Sequence, residues 1–90
     1  MAYRPKDTQE RILHRLKISQ GQLNKVISMV ESDTYCIDIL HQSQAIQKAL
    51  KETDQIMLEN HLKCCMVDHI KNGHVDSSIE EVMKVFKKQN

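Results

Sequence analysis

Two cysteines and one histidine carry the most distinctive chemistry in this chain. His61 and Cys65 are four residues apart, and Cys36 comes 25 residues before His61. Residues at i and i+4 of an α-helix lie side by side, a spacing that suits two ligands of one ion. Two thiolates and one imidazole form a soft, three-coordinate set. Such a set favours Cu(I), and it accepts Zn(II) when a fourth ligand or a water joins.

The same spacing also fits a site without a metal. Free cysteine is among the most buried residue types, so Cys36 and Cys65 suit small apolar positions, and His61 suits a hydrogen-bonded interface. Cys64 points about 100° away from Cys65 around a helix, so we interpret it as a bystander or as an oxidation-prone neighbour. The other histidines lack a cysteine at a comparable spacing and are interpreted as surface or capping residues: His14, His41, His69 and His74. Spacing alone leaves both interpretations open.

Helices must position these residues. The 90 residues are 40% hydrophobic and 28% charged, with two Gly, one Pro and no Trp, a composition that suits long helices and argues against a sandwich or barrel. We predict an all-α fold in a single domain over residues 1–90. No run approaches the roughly 18 apolar residues that span a bilayer, and the first residues are polar and charged. We therefore expect a soluble cytoplasmic protein, without a membrane partner, whose cysteines remain thiols.

Capping residues set the predicted helix bounds. Helices are expected over about residues 8–32, 34–72 and 77–88. The capping signals are Asp7 with Glu10, then Asp33 or Thr34, then Gly73, and finally Ser77 with Glu80. The protomer should therefore contain three helices, the second of which is unusually long.

The length of the second helix predicts a homodimer. About 38 residues of helix extend about 57 Å, which is longer than a globule of this size is wide. Helix one can cover only part of it, so a second copy should supply the missing surface in an antiparallel four-helix bundle. With the crossing centred near residues 49 and 50, Cys36 of one chain lies opposite position 63 of the other. Each Cys36 then meets His61 and Cys65 of the partner.

The charges are unevenly distributed along the chain. Residues 1–30 hold six basic and two acidic residues, a net charge of +4, whereas residues 31–90 hold seven basic and ten acidic residues, a net charge of −3. A cationic first helix indicates a polyanionic partner. Its candidate contacts with DNA phosphates are Arg11, Arg15 and Lys17.

The order of several short segments resembles the copper-sensitive operon repressors, a family related to the nickel and formaldehyde repressors. The segments are ESDTYCIDIL, MLENHLKCC, NGH and SSIEEV, and the resemblance extends over residues 8–88. Its most specific element is Cys36, then His61, then three residues and Cys65, which matches that family's copper-binding pattern. The resemblance implies a three-helix protomer that forms an antiparallel bundle dimer and a dimer of dimers.

The same resemblance assigns roles to further residues. Tyr35 and Glu81 match positions that hydrogen-bond to the copper-ligating histidine, and Arg15 matches a DNA-contact position. The family often has an arginine at the position of Glu52, which leaves Lys51 as the nearby base. Nickel-sensing relatives add a histidine near the N-terminus, and here no histidine precedes His14, so nickel is disfavoured.

The function expected from these features is a Cu(I)-sensing repressor that binds operator DNA without metal and controls copper resistance or efflux genes. The chain has no helix-turn-helix signature, nucleotide loop or catalytic arrangement, so an enzyme is not expected. One alternative is a thiol or persulfide sensor in which Cys36 crosslinks to the partner's Cys65, for which His61 is not needed. Another is a cytosolic copper buffer without a DNA role.

Overall fold

The structure, a computed structural model, describes residues 6–88 of the chain. Within that range every element is helical and there is no strand, which confirms the predicted all-α class. The elements are α1 (Lys6–Glu31), α2 (Cys36–Asn60), a π-helical turn (His61–Cys65), α3 (Met66–Lys71) and α4 (Val75–Lys88). Since α2, the π turn and α3 follow one another without a break, they form the single long helix that the sequence predicts.

The chain reverses between α1 and α2 through a Schellman motif. The Thr34 N–H donates to Met29 O at 3.0 Å and the Asp33 N–H to Val30 O at 3.3 Å, the pattern that ends many helices. Asp33 has a φ of 54°, a conformation that short polar side chains tolerate better than most. Tyr35 is the N-cap of α2 and makes no side-chain capping bond. The prediction that Asp33 or Thr34 caps α2 is wrong, because both residues end α1.

A second Schellman motif, built on Gly73, joins α3 to α4. Gly73 has a φ of 83°, a conformation that glycine adopts without strain. Its N–H donates to Ile70 O at 3.1 Å, and the His74 N–H donates to His69 O at 2.8 Å. The long helix therefore ends at the glycine that the sequence singles out.

The capping box predicted for α4 does not set the start of that helix. α4 begins at Val75, two residues before the predicted start. The hydroxyls of Ser77 and Ser78 both donate to His74 O, at 3.2 and 2.6 Å. Serine hydroxyls can bond backward to a helix carbonyl or forward as a cap. The prediction is wrong because Ser77 takes the backward bond inside the helix.

The described protomer buries few apolar side chains. Its buried hydrophobic residues are Ile12 in α1, Ile46 in α2 and Val82 in α4. The accessible surface is 7070 Å², whereas a compact protein of 10.5 kDa exposes about 5,400 Å². The radius of gyration is 17.1 Å, against about 12 Å for a compact chain of this length. The protomer is thus an elongated helical hairpin with much uncovered apolar surface.

α1 packs along α2, and α4 folds back from α3 beside the end of the long helix. This arrangement leaves the two ends of the long helix in different surroundings. None of the helices over residues 6–88 is long and apolar enough to cross a membrane.

Candidate metal centre

The three predicted ligands lie at the two ends of the long helix. Cys36 is the first residue of α2, and its thiol is free and exposed. His61 begins the π turn and is half-buried. Cys65 ends the π turn, and its side chain lies outside the described part of the structure. The helix is unbroken from Cys36 to His61, a separation of about 37 Å. One protomer therefore does not bring Cys36 to His61.

Within the described residues of the protomer, no group of three or more His, Cys, Asp or Glu side chains is placed to hold a metal ion. Tyr35 precedes Cys36 and its side chain is 68% exposed. Like Cys36, it lies at the far end of the helix from His61 of its own protomer. The predicted contact between Tyr35 and His61 can therefore form only between two copies of the chain.

The segment that carries His61 and Cys65 departs from α-helical geometry. The Met66 N–H donates to His61 O, five residues back, which is the hydrogen bond of a π-helix. The His61 N–H is shared between Leu58 O and Met57 O. The sequence predicts α-helical spacing here, and the structure corrects it to a wider turn. π turns inside α-helices are rare overall, and those that occur are often at functional sites. The departure from α-helical geometry therefore marks this segment as a candidate functional site.

His61 faces a groove of about 510 Å³ between α2 and α4. Glu81 lines the same groove from α4. The groove's apolar lining comes from Met57, Leu58, Val82 and Val85. A carboxylate that accepts the second N–H of a ligating imidazole fixes its tautomer and ring orientation. The position of Glu81 suits this role, which stays a prediction.

Three histidines form a row that was not predicted from the sequence. The ring centroids of His61 and His69 are 6.4 Å apart, and those of His69 and His74 are 6.3 Å apart, both pairs at 81°. The separation of eight residues between His61 and His69 is close to two helical turns, which was a usable signal. His74 joins the row only because the turn at Gly73 brings it back, and this required the geometry of the turn.

Cys64 lies inside the π turn and is half-buried. Its Sγ is 3.9 Å from Asn60 Oδ1, a weak hydrogen bond in which the thiol donates. The Cys64 thiol is thus directed back along the helix towards Asn60.

An exposed ion pair crosses the start of the π turn. Lys63 Nζ lies 2.8 Å from Glu59 Oε1. The hydrogen bond from Lys63 and then its charge lower the pKa of Glu59 below its ordinary value, with a smaller contribution from the charge of Arg11. The hydrogen bond to Glu59 and then its charge raise the pKa of Lys63.

The candidate DNA-binding residues lie on α1 and α2. Arg11, Lys17 and Lys51 are exposed, and Arg15 is half-buried. Arg15 Nη1 is 3.6 Å from Glu52 Oε2, an ion pair that joins the two helices. Glu52, which departs from the expected family pattern, is therefore the ion-pair partner of Arg15, which matches that pattern.

The geometry defines a class of protein: a helical protomer that carries a thiol and an imidazole at opposite ends of one helix. Comparison with known proteins gives the family. The family described as a metal-sensitive transcriptional repressor matches residues 8–88. The chain belongs to this family, which is one of repressors.

Individual relatives support this assignment. The copper-sensing transcriptional repressor CsoR of Bacillus subtilis strain 168 is 43% identical over 79 residues, covering 88% of this chain and 78% of that protein. CsoR of Mycobacterium tuberculosis strain H37Rv is 39% identical over 75 residues, or 83% of this chain. The match covers 63% of that mycobacterial protein, so the chain spans less than two thirds of its length.

A solved structure has the same fold. It is the crystal structure of the copper-sensing repressor CsoR with Cu(I) from Geobacillus thermodenitrificans NG80-2, with a TM-score of 0.88 and 42% identity. The alignment covers 98% of this chain and 92% of that one. This agreement confirms the predicted family and three-helix protomer.

Proposed function

We propose that this chain is a cytoplasmic Cu(I)-sensing transcriptional repressor, which binds operator DNA without metal and leaves it when Cu(I) binds, so that copper resistance or efflux genes are expressed. Its family and the names of its relatives support this function. The observation that carries the proposal is the placement of Cys36 and His61 at opposite ends of an unbroken helix. That placement suits a site shared between two copies.

The proposed working unit is an antiparallel dimer that pairs again into a homotetramer. The protomer exposes about 1,700 Å² more than a compact protein of its size, its accessible surface being 7070 Å². Obligate homodimers bury about 2,000–5,000 Å² in total, or half of that per protomer, so the excess is of the right size. Exposed apolar residues on α1 and α2 supply such a surface: Leu13, Leu23, Ile27, Val30, Ile37, Leu40 and Leu50.

In this dimer each Cys36 would join His61 and Cys65 of the partner. The exposure of the Cys36 thiol fits a ligand that another copy completes. The donor set of two thiolates and one imidazole is soft and selects Cu(I), with Zn(II) as a non-cognate ion. A bound Cu(I) supplies bonds that tie the two protomers together at each end of the bundle.

Release from DNA follows if the occupied site favours a conformation with lower DNA affinity. Glu81 and His61 line one groove, so a hydrogen bond between them would link the imidazole to the position of α4. Tyr35, beside Cys36, would contribute from the other protomer. A tenfold loss of DNA affinity needs only about 1.4 kcal/mol of coupling.

The DNA face of the proposed repressor is α1 with the middle of α2. Arg11, Arg15, Lys17 and Lys51 would neutralise phosphates, which makes the DNA affinity depend on salt. Replacing Arg15 by alanine should weaken DNA binding and make its salt dependence shallower, with little change in Cu(I) affinity. An unchanged DNA affinity in a folded tetramer of this variant would remove α1 from the DNA face.

A titration with Cu(I) under strict reduction, with metal stoichiometry and DNA binding followed together, tests the proposal. We expect two Cu(I) per dimer, and DNA release in step with occupancy. Binding of Cu(I) without any DNA binding would favour a copper buffer instead. Release by persulfide but not by Cu(I) would favour the thiol sensor, for which the exposed Cys36 thiol is the specific supporting observation.

A further inference from the structure

The ion pair between Arg15 and Glu52 places a carboxylate next to an arginine that is proposed to contact DNA. Arg15 Nη1 lies 3.6 Å from Glu52 Oε2, and the two side chains are 37% and 50% exposed. We propose that Glu52 sets the affinity for DNA: it holds Arg15 in the free protein and repels the phosphate that displaces it. This inference rests on the proposed function, because it concerns the same DNA face.

The chemistry of the pair makes carboxylate and phosphate competitors. A guanidinium donates two parallel N–H bonds to either group. When a DNA phosphate takes these donors, the Glu52 carboxylate loses its cation and remains as a negative charge next to the phosphate. DNA binding at Arg15 therefore includes the loss of one ion pair and the gain of one repulsion.

The surroundings of Arg15 suit an oxyanion. A cavity of about 300 Å³ beside Arg15 is also lined by His14, Ile18, Ser19 and Ala49. Ser19 is 5% exposed, and its hydroxyl has no hydrogen-bond partner among the described residues. A phosphate oxygen at this cavity would meet the charge of Arg15, with His14 nearby.

Glu59, another α2 carboxylate in an ion pair, lacks this property. Its carboxylate accepts a hydrogen bond at 2.8 Å from Lys63 on the same long helix. A phosphate that binds an arginine of α1 therefore leaves Glu59 paired with Lys63. The competition is concentrated at Glu52, whose observed ion pair is with Arg15.

A double-mutant cycle on the full-length protein tests the inference. The probe is a labelled duplex that the wild-type protein selects from a random-sequence pool, and its affinity is measured by anisotropy at two salt concentrations. The variants are Glu52→Gln, Arg15→Gln and the double variant. Glu80→Gln on α4 is the matched control, because it removes the same charge from an exposed glutamate.

We expect Glu52→Gln to bind DNA about three- to tenfold more tightly at low salt, because exposed ion pairs and repulsions are modest in water. The gain should shrink at high salt. In the Arg15→Gln background it should fall to the size of the Glu80→Gln effect. Copper affinity should not change, since Glu52 is not a proposed ligand.

Two results would overturn the inference while leaving the repressor function intact. One is an unchanged affinity of Glu52→Gln for a duplex that the wild type binds. The other is an equal gain in DNA affinity from Glu52→Gln with and without Arg15. Glu52 would then affect DNA binding only through the net charge of the protein. If the wild-type protein selects no sequence and binds no duplex, the proposed function itself fails. Thermal unfolding of each variant separates these outcomes from misfolding.

Discussion

The two ends of the long helix carry parts of the same candidate site in opposite settings. At the Cys36 end, the thiol and the neighbouring Tyr35 are exposed, and no side-chain cap closes the helix. At the His61 end, the helix widens into a π turn, and α4 lies across it with a groove between them. Within the described residues, α4 therefore shelters the His61 end, whereas the Cys36 side chain stays exposed. The difference agrees with the proposal that a second protomer meets the Cys36 end.

The largest expected effect comes from substituting the ligand at each end of the long helix, Cys36 at one end and His61 at the other. Cys36→Ala and His61→Ala homodimers should each lose high-affinity Cu(I) binding by more than about a hundredfold, because even residues that only support metal ligands account for 10–100-fold. Mixed dimers carrying one chain of each kind should keep one intact site of the two. Stoichiometric titration of tagged and purified heterodimers measures this.

Dimers of wild-type chains with Cys36→Ala chains provide the control, and they should also retain one site. A full-affinity site in an isolated monomer would contradict the shared site, because one protomer does not bring Cys36 to His61. His61→Ala also separates the chemistries: copper-driven DNA release should be lost, whereas a persulfide crosslink between Cys36 and the partner's Cys65 needs no imidazole.

A smaller effect is expected from the groove at the His61 end. Glu81→Ala should keep much of the Cu(I) binding but blunt DNA release, because the carboxylate would orient the imidazole of His61 and not bind the metal itself. We expect about a tenfold weaker coupling between Cu(I) and DNA, measured as the ratio of DNA affinities with and without metal. Glu80→Ala, the neighbouring exposed glutamate outside the groove lining, is the control. Equal losses of Cu(I) binding and release would contradict this role.

The contrast between the ends also shows what sequence can predict. The all-α class and the long helix followed from composition and from the absence of Gly and Pro between Tyr35 and Asn72. These features were predictable because helical propensity and helix termination at glycine depend mainly on residues close in sequence. The end at Gly73 was predictable for the same reason.

Features that depend on competition between hydrogen bonds were not predicted. Asp33 and Thr34 fit an N-cap by type but end the preceding helix, and Ser77 bonds backward instead of capping. The π turn leaves no simple mark in sequence spacing, since His61 and Cys65 also suit an α-helix. The pairing of Arg15 with Glu52 depends on how α1 and α2 pack, which residue types alone do not specify.

A stability effect should distinguish the folded-back end from the rest of the helical hairpin. Gly73→Ala places a side chain at a φ of 83° and should destabilise the protein by about 1–2 kcal/mol. Gly21→Ala, inside α1 with nothing within 4 Å of the added Cβ, should stabilise it by about 0.5–1 kcal/mol. Urea unfolding at one fixed protein concentration compares them, because oligomer stability depends on concentration. Equal shifts in both variants would contradict the turn's dependence on glycine.

The smallest effect concerns the ion pair that crosses the start of the π turn. The pKa of Glu59 is lowered from its ordinary value of 4.5, and that of Lys63 is raised from 10.5. The contribution of Glu59 to stability is therefore present above pH 4.5 and lost as the pH falls through its lower folded-state pKa. The contribution of Lys63 is present below pH 10.5 and lost as the pH rises through its higher folded-state pKa.

Glu59→Gln should accordingly lower the melting temperature slightly at neutral pH, and the difference from wild type should vanish in acid below the folded-state pKa of Glu59. Both side chains are exposed, so added salt should shrink the difference at neutral pH as well. Glu80→Gln is the control and should lack this pH-dependent difference. A difference that persists unchanged in acid and in high salt would mean that the carboxamide disturbs the π turn through its shape. The charge of Glu59 would then have no part in holding the segment that carries His61.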